Sequence, residues 1–85
     1  MVIDDSNTIR RSAEIFLKQG GHEVLLAEDG FDALAKVNDY EPQLIFCDIL
    51  MPKLDGYQTC AIVKRNEAFA STPVIMLSSK DGLFD

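Results

Sequence analysis

The stretch Leu44-Ile45-Phe46-Cys47-Asp48-Ile49-Leu50-Met51-Pro52-Lys53-Leu54-Asp55-Gly56 decides how this chain reads. Four apolar residues run into a lone aspartate, and Met-Pro-x-x-Asp-Gly follows. A short, continuous apolar run suits a strand buried on both faces of a parallel sheet. It puts Asp48 where that strand emerges, the edge at which open α/β sheets bind ligands. Pro52 and Gly56 bracket a tight reversal that holds the chain around the carboxylate. Taken alone, Asp48 reads equally well as an ordinary strand-ending residue that opens a turn, so the flanking chain has to decide.

Working outward, a helix over about 55–66 follows, with Gly56, Cys60 and Val63 on one stripe and Tyr57 beside them. Ala70-Ser71-Thr72-Pro73 is a connecting loop, and Val74-Ile75-Met76-Leu77 reads as a further buried strand running into Ser78 and Ser79. On the other side, Glu41-Pro42 stops a helix over about 31–39 that turns Ala33, Leu34 and Val37 inward. Glu28-Asp29-Gly30 is its turn and acidic start, and Val24–Ala27 is the strand before it. Gly20-Gly21 ends a first helix over about 7–19, because glycine takes the left-handed cap without penalty. Ser6-Asn7-Thr8 supplies its capping side chains, and Ile9, Ala13, Phe16 and Leu17 share one of its faces. Met1-Val2-Ile3 is a short first strand that runs into Asp4-Asp5. The order βαβαβαβ predicts one α/β domain, a doubly wound parallel sheet with helices on both faces and right-handed crossovers.

Composition narrows the function. Eighty-five residues allow one domain, and a hydrophobic share of 47% is ordinary for a globular fold. The formal charge of −6 repels nucleic acid phosphates and suits a metal cation or a basic partner. No apolar run nears the ~18 residues of a membrane span, and the opening residues are too few and too acidic for a targeting segment. A cytoplasmic protein is expected, with neither nucleic acid nor membrane as partner. Cys47 and Cys60 are expected to be buried thiols, and His22 a solvated loop residue. No glycine-rich phosphate loop occurs, and the single histidine leaves no Ser-His-Asp or Cys-His constellation.

All parallel strands leave such a sheet at one edge. If strands one, three and four are neighbours, Asp4, Asp5 and Asp48 converge there with Ser78 and Ser79. Clustered carboxylates are costly unless a cation neutralises them, and an all-oxygen donor set favours Mg²⁺. Asp5 and Asp48 would then bind directly, Asp4 through a water, and Leu50 through its backbone carbonyl. A carboxylate so placed can attack a phosphoryl group, and a hydroxyl at the end of strand four can hydrogen-bond the product. The plainer alternative is that Asp4-Asp5-Ser6 only caps the first helix, whose N-terminus favours anions.

The chain resembles the receiver domain of two-component response regulators. The resemblance is carried by Ile3-Asp4-Asp5-Ser6, Ala27-Glu28-Asp29-Gly30 with Ala33-Leu34, Cys47-Asp48-Ile49-Leu50-Met51-Pro52, Asp55-Gly56 and Val74-Ile75-Met76-Leu77-Ser78. It implies the flavodoxin-like receiver fold with strand order 2-1-3-4-5, Asp48 as phosphoacceptor, Asp4 and Asp5 as metal-site acids, and Ser78 as switch hydroxyl. It implies a histidine kinase or phosphotransfer domain as donor and a downstream effector as partner. The chain would be a phosphoacceptor rather than an enzyme, with Mg²⁺-dependent self-phosphorylation and dephosphorylation as its own chemistry. Thr8-Ile9-Arg10-Arg11 and Leu77–Asp85 resemble stand-alone receivers of type IV pilus twitching motility, themselves similar to the chemotaxis receiver.

One departure bears on function. A complete receiver continues through strand five, which ends in a lysine, and helix five. Residues 1–85 therefore read as the N-terminal part only, with order 2-1-3-4. Neither Lys53 nor Lys80 has the place of that lysine. An apolar strand four left as an edge invites self-association. Two other readings stay in play: a receiver-like interaction or metal-binding module that is not phosphorylated, and a Mg²⁺-dependent phosphatase with an aspartyl nucleophile resembling the haloacid dehalogenase family.

Overall fold

Each helix starts at a side chain that caps it. Ser6 accepts from the Ile9 amide at 3.3 Å, Asp29 from Asp32 at 2.8 Å and Asp55 from Gln58 at 2.8 Å. Such caps contribute about 1 kcal/mol each and set where a helix can begin. In the computed structural model, which describes residues 1–77, they open α1 (Asn7–Gln19), α2 (Gly30–Tyr40) and α3 (Gly56–Arg65). The strands are β1 (Val2–Ile3), β2 (Leu26–Ala27), β3 (Ile45–Asp48) and β4 (Val74–Leu77), with a 3₁₀ turn at Glu67–Phe69. α1 ends in a Schellman motif: Gly21, at φ +86°, donates to the Lys18 carbonyl, and His22 donates to that of Leu17. The left-handed residue is thus the second glycine of the pair.

All strands are parallel, in the order β2-β1-β3-β4. Two steps place the helices. The chain moves outward from β1 to β2 and then back past β1 to β3, so right-handed crossovers put α1 on one face and α2 on the other. The step from β3 to β4 keeps that direction, so α3 joins α2, and the two pack together. Register puts Val2, Phe46 and Ile75 on the α1 face, and Ile3, Cys47 and Met76 on the α2/α3 face. The core lies on the second face, where Ile3, Ile45 and Cys47 meet Ala33, Val37, Val63 and Phe69.

The fold class and strand order agree with the expectation; several details do not. Strand two is only Leu26–Ala27, half the length expected. Strand three is not buried on both faces, since Phe46 is half-buried towards α1 and Leu44 lies outside the strand. Strand four spans the expected residues, but Ile75 is 44% and Leu77 37% exposed on the face shared with α1. On the apolar face of α1, Ala13 and Leu17 are half-buried, while Ile9 and Phe16 are exposed, Phe16 by 74%. On α3 the buried stripe is Gly56, Thr59 and Val63, while Cys60 is only half-buried. Thr59 packs there because Gly30 lets α2 approach; a Cβ on Gly30 would sit 2.3 Å from the Thr59 hydroxyl.

Candidate functional site

The acids meet because β1 and β3 are neighbours. Asp4 follows β1, Asp5 opens the turn to α1, and Asp48 is the last residue of β3. One oxygen from each of Asp4, Asp5 and Asp48 lies within 4.8 Å of the others. Asp4 and Asp48 are buried and Asp5 is exposed, so the cluster opens to solvent on one side.

Asp4 is fixed at three points. Its amide donates to the Ala27 carbonyl at 3.1 Å, continuing the pairing with β2. Its Oδ1 accepts from the Ser6 amide at 2.8 Å. Its backbone carbonyl accepts from Arg10 Nη1 at 2.6 Å. Asp48 is held through its backbone surroundings. The Ile49 amide donates to Leu77 at 3.0 Å, and the Gly56 amide returns to the Ile49 carbonyl at 2.9 Å. A Cβ on Gly56 would lie 2.4 Å from the Asp48 carbonyl oxygen, so only glycine lets α3 begin against that peptide. The reversal between them passes through Lys53 at φ +70°, a left-handed conformation that costs a non-glycine residue on the order of 1 kcal/mol.

Three carboxylates this close repel one another in a partly dry environment. Their donors are all oxygen, which fits a hard divalent cation such as Mg²⁺ and excludes a thiolate or imidazole site. Cys47 does not contribute a nucleophile. Burial first, and then the Asp48 carboxylate and Cys60, push its thiol up to about 12, and Sγ lies 3.5 Å from the Asp48 carbonyl.

Leu50 lies two residues past Asp48 and is 53% exposed. Ser78, Ser79 and Lys80 lie outside the described residues. Leu77, directly before Ser78, pairs in register with Asp48, so β4 ends beside the candidate acceptor. A cleft of about 800 Å³ opens at the opposite end of the strands between Leu17, His22, Tyr40, Glu41 and Phe46. It holds none of the three acids, which come together where β1 and β3 end. Arg10 and the contact role of Gly56 went unrecognised in the sequence. A cation five residues past Asp5, in the first turn of the helix, was the available signal for the first.

No helix among the described residues is long and apolar enough to cross a membrane. A family model described as response regulator receiver domain matches residues 1–85. Protein PilG of Pseudomonas aeruginosa is 71% identical over 85 residues, covering 100% of this chain and 63% of that protein. The alkaline phosphatase synthesis transcriptional regulatory protein PhoP of Bacillus subtilis is 35% identical over 85 residues, 100% of this chain and 35% of that protein. Among solved structures, Vibrio cholerae chemotaxis protein CheY4 superposes with a TM-score of 0.86 at 33% identity, covering 88% of this chain and 62% of that one. The chain thus spans less than two thirds of the length of each of these relatives.

Proposed function

The chain belongs to the response regulator receiver family, and from that premise we propose that it accepts a phosphoryl group on Asp48 and thereby changes what it binds. The observation that carries this reading is the convergence of Asp4, Asp5 and Asp48 within 4.8 Å, with Asp48 wholly buried at the end of a central strand. In the proposed step a carboxylate oxygen of Asp48 bonds to phosphorus as the bond to the donor's leaving group breaks. The product is an aspartyl phosphate, and the departing group keeps the bonding electron pair. Such a transfer depends on positioning and charge neutralisation. Mg²⁺, when bound, supplies that neutralisation. Asp5 and Asp48 would hold it directly, Asp4 through water and Leu50 through its carbonyl. Gly56 and the β3–β4 pairing keep the acceptor's backbone in place. Ser78, next after Leu77, is the proposed switch hydroxyl.

In this reading a histidine kinase or phosphotransfer domain donates the phosphoryl group and a downstream protein reads the result. The chain is a phosphoacceptor rather than a turnover enzyme, and it works in the cytoplasm. We place it with the twitching-motility receivers that its sequence resembles. Its 71% identity to Protein PilG, against 35% to a transcriptional regulatory protein, supports that branch over one coupled to transcription. Fluorine NMR with Mg²⁺ and beryllium fluoride tests the reading. A bound acyl-phosphate mimic is expected on the parent and not on Asp48→Asn. No adduct on the parent would favour a receiver-like interaction module instead.

A further inference from the structure

Arg10 sits one turn into α1, and its guanidinium forks. Nη1 donates to the Asp4 carbonyl at 2.6 Å, and Nη2 donates to Asn7 Oδ1 at 3.1 Å. That carbonyl belongs to the planar peptide joining Asp4 to Asp5, so holding its oxygen fixes the whole Asp4–Asp5 unit. Asp4 itself is buried and tied to β2 and Ser6, whereas Asp5 is exposed. The backbone from which the Asp5 carboxylate departs is thus anchored through the peptide that Arg10 grips. A guanidinium suits this task, since its rigid fork meets two acceptors at once and its charge is permanent.

We infer that Arg10 is a positioning residue for the Asp4–Asp5 pair, setting the angle at which the two acids meet a divalent cation. The inference rests on the cation-dependent reading above, and it makes a claim about the metal-free protein as well. Groups that orient the residues holding a metal are typically worth about 10–100-fold in affinity.

The test compares the parent with Arg10→Ala, Arg10→Lys and Asn7→Ala by Mg²⁺ calorimetry and by amide NMR without metal. Arg10→Ala is expected to weaken Mg²⁺ binding at least about tenfold. It is also expected to move the Asp5 amide resonance while those of Val63 and Phe69 stay in place. Arg10→Lys keeps the charge but not the fork, so it should recover only part of the affinity. Asn7→Ala, which frees one arm, should show a smaller loss in the same direction. If Arg10 acted only as a charge repelling the cation, Arg10→Ala would bind Mg²⁺ more tightly and Arg10→Lys would match the parent; either result overturns the inference. Should the parent bind no Mg²⁺, the functional reading falls, and the Asp5 amide still decides: unmoved in Arg10→Ala, it overturns the positioning role.

Discussion

The two faces of the sheet are made by the same strands and end up differently. Towards α2 and α3, Ile3, Ile45 and Cys47 are sealed under Ala33, Val37, Val63 and Phe69. Towards α1, Phe46 is half-buried, Ile75 and Leu77 are open, and Phe16 stands in solvent. Strand alternation decides which face a residue joins, but burial depends on what is laid over that face. The site lies at the edge shared by both. From the closed side Gly56 braces Asp48, and from the α1 side Ser6 and Arg10 brace Asp4.

The sharpest test of this contrast uses one residue type on either side. Phe69→Ala is expected to lower unfolding free energy by about 3–5 kcal/mol in denaturant titrations. Phe16→Ala should stay within about 0.5 kcal/mol. Equal losses would break the comparison. Next in size is Gly56→Ala, whose added methyl meets the Asp48 peptide. A cost of about 1–3 kcal/mol is expected, together with weaker loading of Asp48 by beryllium fluoride. A variant of full stability and normal loading would show that α3 can shift without disturbing the acceptor.

Cysteine chemistry sharpens the contrast further. Cys60, half-buried, should react with a maleimide before Cys47, which is 1% exposed. The Cys47 thiol is raised from 9.0 to about 12 in the fold, mainly by burial. Its contribution to stability is therefore complete below 9.0 and is lost as pH climbs towards 12, because the unfolded chain ionises first. Denaturant midpoints measured across that window should fall less steeply in Cys47→Ala. The smallest expected effect is at Ile75→Lys on the open face of β4, the edge strand among the described residues. Stability should change by no more than about 0.5 kcal/mol. If the exposed edge draws copies together, gel filtration should show less self-association for this variant.

The Asp48 strand end was legible because a buried parallel strand leaves a dense apolar run, and a turn leaves Pro and Gly; the sheet order came only with the family resemblance. The three-acid cluster followed once strands one and three were read as neighbours. Phe16 lies on the apolar face of α1 and is still exposed, because helical spacing marks a face without saying what covers it. Thr59 was missed for the opposite reason: its burial is set by Gly30 of another helix, 29 residues away in sequence. Arg10 escaped notice because a charged residue early in a helix usually points to solvent, and only the turn geometry brings it back onto the Asp4 carbonyl.

Intact mass after incubation with Mg²⁺ and acetyl phosphate, run beside Asp48→Asn, tests the central claim most directly. A gain of one phosphoryl group in the parent alone is the predicted result. An unmodified parent, or equal modification of both proteins, would contradict the assignment of Asp48 as the acceptor.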